Sequence, residues 1–341
     1  MKESGACKLL KCVPILLILW SCLQFGEFID PSAIDVTPPV CSQVLVTGER
    51  GVEIVFDENV YLDDELKGPE RLQPIRGTAA ENRIKITLGE KAEPGEEFVL
   101  SGFVRDTRGN ETGFSLPVYG YNSEVPVIII NEFTTQGSSS HPDFIELLVL
   151  CDGNTGGICL YEGIPGECTS RFVFPQCEVK TGDYLVVHCK PQGLETELTE
   201  TGNIDESGGI DAFPYARDFW VKRGDGLSGN NGVLSLYSSP GGNCLDALIY
   251  SNRTSASDEN YRGFGSTKML TQAEFIFREG EWTGDGETVR PEDGINPDDS
   301  TATRSISRMQ AYTDANAKTD WHITPSGGYT PGKANTNEIY R

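Results

Sequence analysis

The chain runs to 341 residues and carries 28 Lys and Arg against 51 Asp and Glu, a formal net charge of −23 at pH 7. With no cluster of Lys and Arg beyond its first residues, such a chain repels phosphate backbones and anionic headgroups, which excludes nucleic acid as a partner and disfavours electrostatic attachment to membranes. The acidity reads as solubility at a crowded surface.

At the N-terminus, Lys2, Lys8 and Lys11 lead into an apolar run at 13–20, and Leu19-Trp-Ser-Cys22 follows where a cleavage site belongs. This order resembles the bacterial lipoprotein signal. The resemblance implies a signal peptide over 1–21, acylation of Cys22 as the first mature residue, and a tether over 22–37. It also implies secretion across the inner membrane and lipid anchoring in the bacterial envelope, at the outer membrane or cell surface, so that the membrane is met through the lipid. Ordinary signal cleavage near Gly26 is the alternative. A spanning anchor is disfavoured, because the apolar run is shorter than the ~20 residues a membrane helix needs. Each buried CH₂ of an acyl chain contributes about 0.8 kcal/mol, and about two chains anchor stably.

Short alternating runs follow. Val52, Ile54 and Phe56 share one face against Glu53 and Asp57, and Ile84, Ile86 and Leu88 repeat the pattern against Arg83, Lys85 and Thr87, the period of two expected of half-buried strands. Residues 38–122 resemble a bacterial Ig-like domain, on Asp35-Val-Thr-Pro-Pro39, Val55-Phe-Asp-Glu-Asn-Val60, Pro94-Gly95 before a strand, and Arg105-Asp-Thr-Arg-Gly-Asn110. In that family the module serves as a spacer or accessory domain.

From residue 126 onward, strands are predicted at 128–133, 143–150, 171–174, 184–189, 233–238 and 245–250, with Gly, Asn and Pro clusters between them. The region 126–336 resembles a lamin-tail domain, through Ile128-Ile-Ile-Asn-Glu-Phe133, Asp143-Phe-Ile-Glu-Leu147, Ser305-Ile-Ser-Arg308, Asp320-Trp321 and Thr330-Pro-Gly-Lys-Ala-Asn335. Two stretches, 191–227 and 255–300, depart from that pattern as insertions. Met269, Leu270, Ala273, Ile276 and Phe277 predict a short helix within 267–282, as a lid over the sandwich edge. The acidic, Gly- and Pro-rich stretch 285–300 is expected to be an exposed loop. The fold class is therefore all-β, two antiparallel Ig-like β-sandwiches in tandem, the second with long loop insertions and one short helix.

Six cysteines, Cys151, Cys159, Cys168, Cys177, Cys189 and Cys244, fall in this second region, and secretion into an oxidising compartment permits three disulfides with 15 connectivities. Cys159 with Cys168 would close a local loop, and Cys151 with Cys189 would join the ends of two strands. A metal site is disfavoured, for there is no Cys-x-x-Cys and no His at ligand spacing.

Motifs for chemistry are sparse. Gly224-Asp-Gly226-Leu-Ser-Gly229 fits a dinucleotide fingerprint by letter, but Asn230-Asn-Gly232 and a strand follow it where the motif needs a helix, so it reads as a loop into a hairpin. His141, His188 and His322 lie far apart, and no base is marked beside a nucleophile. Asn131, Glu132, Asp143, Glu146 and Arg308 read as a structural polar network rather than paired hydrolytic acids, since one buried member left unpaired costs ~3 to 5 kcal/mol. Asp205, Glu206, Asp211, Asp293 and Asp298 are weak calcium candidates without EF-hand spacing, and read first as solvated loops. Trp220, Trp282, Tyr312 and Trp321 could form an aromatic carbohydrate-binding surface, with Trp321 expected in the core.

The reading is a non-catalytic surface protein without a cofactor, acting as a binding, adhesion or scaffolding module toward a protein or glycan through insertions 191–227 and 255–300. The alternatives are a secreted hydrolase with a site near His188 or His322, and a calcium-stabilised envelope structural protein.

Overall fold

The computed structural model describes residues 35–63, 65–310 and 314–341. The expected signal peptide over 1–21, Cys22 and Tyr312 lie outside them. Among the described residues the fold is all-β with one α-helix.

The first part of the chain builds two facing sheets. Strands β1 (Cys41–Gly48), β2 (Gly51–Phe56), β4 (Arg76–Ala80) and β5 (Arg83–Thr87) pair in the order β1-β2-β5-β4, and β3 (Tyr61–Leu62), β6 (Glu97–Arg105) and β7 (Glu111–Tyr119) in the order β3-β6-β7. The alternating residues of β2 and β5 meet as expected: Ile54 lies opposite Ile84 and Val52 opposite Ile86, and all four are buried with Leu72, Leu100 and Val104. Asp106 turns the chain between β6 and β7, its Oδ1 accepting from the backbone N–H groups of Arg108 and Asn110 at 2.7 and 2.8 Å.

A second, larger core follows. Strands β8 (Val127–Phe133), β9 (Phe144–Cys151), β14 (Tyr184–His188), β15 (Arg217–Trp220), β18 (Ile306–Arg308) and β19 (Trp321–Ile323) form a six-stranded sheet in the order β15-β14-β9-β8-β18-β19. Facing it, β11 (Cys159–Ile164), β12 (Glu167–Val173), β16 (Asn231–Tyr237) and β17 (Cys244–Ser251) pair in the order β12-β11-β16-β17, while β10 (Gly153–Asn154) and β13 (Glu178–Val179) make a small ribbon. Ile130, Leu147, Val187, Leu234, Leu248 and Phe174 fill the space between the two sheets. All pairings are antiparallel except β14 with β15, which is parallel. Insertion 191–227 is thus no mere loop: it returns to the sheet and adds an edge strand.

The other insertion completes the core. Its helix, Thr267–Arg278, begins at Ser266, whose hydroxyl accepts from Met269 N–H, and buries Met269, Gln272, Ala273 and Ile276, the spacing of one helical face. The helix ends four residues before the predicted limit. The stretch 285–300 is not simply exposed either. Val289 and Ile295 join the main core, Trp282 is buried with its indole N–H donating to Asp293 O at 3.1 Å, and Ile295 bridges to Tyr250. Composition suggested solvent, but two apolar residues and a tryptophan suffice to pin a Gly-rich segment when a sheet end needs covering.

All seven described cysteines are unbridged, which departs from the expected three disulfides. Register shows why the two named pairings fail. Cys159 lies opposite Val173 and Cys168 opposite Gly163, about four ladder positions or roughly 13 Å apart at about 3.3 Å per residue. Cys151 ends β9, whereas Cys189 hydrogen-bonds to Asp143 just before that strand begins, so the pair is separated by roughly 25 Å. A disulfide spans at most about 7 Å between Cα atoms.

The two cores meet through backbone and side chains. Gly95 (φ +72°) faces Gly157 (φ +87°), and a Cβ on Gly95 would stand 2.0 Å from Gly157 N. Asn122 Nδ2 donates to Asn154 O and Gly156 O at 2.7 and 3.0 Å, and an Arg171 guanidinium N–H donates to the Tyr119 hydroxyl at 3.2 Å.

Candidate functional site

Strand register draws one row of side chains across the whole six-stranded sheet: His322, Ser307, Glu132, Glu146, Val186 and Asp218. All are buried. The C-terminal segment 329–336 lies over the middle of the row, and insertion 191–227 over one end.

Glu132 and Glu146 stand opposite each other. Glu132 accepts from Thr330 N–H at 2.9 Å, from the Thr330 hydroxyl at 2.9 Å and from the Ser305 hydroxyl. Glu146 accepts from Gly332 N–H at 2.6 Å and from Asn131 Nδ2 at 2.7 Å. Burial pushes both carboxyls up, Glu146 further because the charge of Glu132 adds to it. Asn335 joins the group, donating to Asn131 O at 3.1 Å and Arg308 O at 2.7 Å. On the far side of β8, Arg308 donates through Nε to Ile130 O at 2.9 Å and through its other nitrogens to Asp246 at 2.8 Å and Asp314 at 3.1 Å, with Trp321 stacked 4.7 Å away. Burial holds Asp246 up at about 7 despite the Arg308 charge and the Ile130 N–H that it accepts at 2.6 Å.

Four of the five network residues read from sequence, Asn131, Glu132, Glu146 and Arg308, therefore come together. Asp143 does not join them. Its carboxylate accepts from Gly137 N–H at 2.7 Å and Leu227 N–H at 2.9 Å, tying the β8–β9 loop to the end of insertion 191–227. Asp246 was missed, although a carboxylate alternating with Leu248 and Tyr250 on a buried strand signals a cation partner. Glu200 was missed too, and no local pattern marks it: its oxygens accept from Glu206, Ser207 and Asp218 N–H groups at 2.7 to 2.9 Å and hold the insertion together from inside.

The histidines are separate. His188 Nε2 lies 2.8 Å from Asp218 Oδ1, with the ring stacked on Trp220 at 3.8 Å, and the pair is only 2 % and 1 % exposed. His141 Nδ1 lies 2.9 Å from Asp211 Oδ1 and 3.4 Å from the Tyr329 hydroxyl, clamping the insertion to the β8–β9 loop and the C-terminal segment. His322 is buried beside Ser307, and burial holds its ring below the ordinary histidine range.

The calcium candidates disperse. Asp211 pairs with His141, Asp293 accepts from Arg290 N–H at 2.8 Å, Asp298 accepts from Asn252 at 2.8 Å, Glu206 accepts from Asn203 at 2.9 Å, and Asp205 is exposed. A different carboxylate group, Asp35, Glu58 and Asp106, has ligand atoms all within 4.8 Å of one another. Trp220, Trp282 and Trp321 are buried and form no exposed aromatic surface. What insertion 191–227 does expose is Leu194, Leu198, Ile204 and Tyr215, at 44, 47, 47 and 62 %. Insertion 255–300 exposes no large hydrophobic side chain among the described residues.

Residues 126–323 match the family model TP_1001_2nd, protein second domain. An uncharacterized protein of Treponema pallidum (strain Nichols) is 28 % identical over 179 residues, covering 51 % of this chain and 45 % of that relative. The chain therefore spans less than half of that relative's length. The family model takes in every strand from β8 to β19 and more than half of the chain, which accordingly belongs to the TP_1001_2nd protein second domain family.

Proposed function

We propose that the chain is a non-catalytic protein of the bacterial envelope, lipid-anchored through Cys22, in which an Ig-like spacer carries a lamin-tail sandwich that binds a protein or glycan partner. The observation that carries the reading is the contrast between the two insertions. One spends its apolar residues on the core, while the other holds Leu194, Leu198, Ile204 and Tyr215 in solvent. Four exposed large apolar side chains on one insertion of the second core, against none on the other, support an interaction surface there. The polar row beneath is structural support, because its carboxylates are sealed and already hydrogen-bonded.

The test is binding of the purified protein to intact cells and extracellular matrix, compared with the triple variant Leu194→Ser, Leu198→Ser, Ile204→Ser. Binding should fall at least tenfold with unfolding unchanged. Undiminished binding overturns the placement. Mass spectrometry of the native protein checks the anchor, and an unacylated, cytosolic product would contradict it. A calcium-stabilised envelope role draws support from Asp35, Glu58 and Asp106 alone. An unchanged melting temperature in chelator would remove it.

A further inference from the structure

We infer that the groove at the start of the parallel pair β14 and β15 is a binding site for a neutral saccharide, with Tyr215 as its stacking platform. The inference rests on the partner-binding function and gives that partner a chemistry. The groove has a volume of about 400 Å³ and runs between the β13–β14 turn and insertion 191–227, lined by Asp183, Tyr184, Asn203, Ile204, Tyr215 and Arg217.

Tyr215 is exposed yet held. The Lys333 ammonium stands 4.7 Å from its ring centroid, and the backbone of Gly332 packs so closely that a Cβ there would lie 2.9 to 3.1 Å from Tyr215 and Ala216. Gly332 is itself fixed by donating to buried Glu146 at 2.6 Å. The platform is thus tied to the buried polar row, and a tyrosine with two side-chain torsions gives up little entropy on binding. Lys333 takes one face of the ring, and the other, negative like any aromatic face, suits the polarised C–H bonds of a sugar ring.

The polar lining carries both kinds of hydrogen-bonding group. Asp183 is an acceptor, its Oδ2 already taking Lys180 N–H at 2.9 Å; Asn203 offers an amide oxygen while its nitrogen is held by Glu206 at 2.9 Å; Arg217 is a donor steadied by Gly202 O at 2.6 Å. Hydroxyl groups donate and accept, so a polyol can satisfy all three. An anion would meet Asp183 on a chain of net charge −23, and a cationic peptide would meet Arg217 and Lys333. A wholly apolar ligand would leave the polar lining desolvated and unpaired.

The experiment is calorimetric titration of the purified chain with neutral hexasaccharides, the β-1,4 and α-1,4 glucans and the β-1,4 N-acetylglucosamine hexamer. Saturable binding to at least one is expected, weakened at least tenfold by Tyr215→Ala, retained by Tyr215→Trp, and weakened about fivefold by Asn203→Ala. Tyr215 is at the surface, so the variant should melt with the parent. Absence of binding to all three sugars, or binding indifferent to Tyr215→Ala, overturns the inference, as does preference for a Lys- and Arg-rich peptide in the same groove. Should cells still be bound through Leu194, Leu198 and Ile204 while no sugar is, the saccharide falls and the partner-binding function stands; should the parent protein bind no cell or matrix, the broader function falls.

Discussion

Replacing Arg308 with Leu should be among the most damaging single changes in the second core. Its side chain is 1 % exposed and ties three elements: β8 through Ile130 O, β17 through Asp246, and the loop before β19 through Asp314. Asp314 is a third exposed, so that tie contributes little. The cost lies with Asp246, left buried without its cation, and with an Ile130 carbonyl left without a donor. Removing one member of a buried pair costs about 3 to 5 kcal/mol. At about 2 to 4 °C per kcal/mol for a unit of this size, Tm should fall by roughly 6 to 20 °C. The loss should depend on pH. With its folded-state value at about 7 against the ordinary 3.8, Asp246 contributes stability that is fully present below about 4 and lost as pH rises through 7. Without Arg308 the charged form becomes costlier still, so the penalty should be largest at pH 8 and shrink at pH 5. Asp246→Asn in the Arg308→Leu background should recover most of it. Thermal unfolding of the four proteins at both pH values decides the matter. A penalty below about 1 kcal/mol at pH 8, or one indifferent to pH, or strict additivity with Asp246→Asn, would refute the assignment of the cost to a stranded carboxylate.

Glu132→Gln keeps an oxygen for Thr330 N–H and removes one of two facing carboxylates. Burial raises the folded-state values of Glu132 and Glu146, so their stability is present below the unfolded carboxylate range and lost as pH rises through the folded values. The variant should therefore gain on the parent in Tm by a few degrees at pH 9 and little at pH 5; the reverse order would contradict the coupling. At the junction between the cores, Gly95→Val should drive the two backbones apart, which small-angle scattering would register as a change in radius of gyration with both cores still folded. Thiol titration of the protein lacking residues 1–22 should show exposed Cys151 reacting faster than Cys159 and Cys244, because burial raises the Cys159 thiol to about 11 and Cys244 to about 12. Non-reducing peptide mapping that found Cys151 joined to Cys189 would disprove the register of β9 and β14.

Local periodicity made the strands legible, and polarity in apolar surroundings made most of the network legible. Val52, Ile54 and Phe56 announce β2 because a strand's period of two is a property of neighbours in sequence. Glu132, Glu146 and Arg308 stand out because a charged group between apolar neighbours needs a partner. Their actual partners do not stand out. Ile130 meets Asp246 across 116 positions and Asn131 meets Asn335 across 204, pairings created by the packing of one sheet on the other and by the C-terminal segment laid against it. Missing β10, β13, β15, β18 and β19 follows from length, since strands of two to four residues show too few alternations to be read, and six-residue β11 is missed because it is buried on both faces and does not alternate.

Charge and alternation, read from the residues alone, establish an acidic, all-β chain, because net charge is a sum over residues and alternation a relation between sequence neighbours, and both survive any folding. Only the tertiary structure decided that the six cysteines stay unbridged, that Val289 and Ile295 go inside while Leu194, Leu198, Ile204 and Tyr215 stay outside, and that Asp143 leaves the network it was grouped with. Each of these turns on which end of one strand lies beside which end of another. That is set by cooperative packing of residues far apart in the chain, a quantity that no local stretch contains.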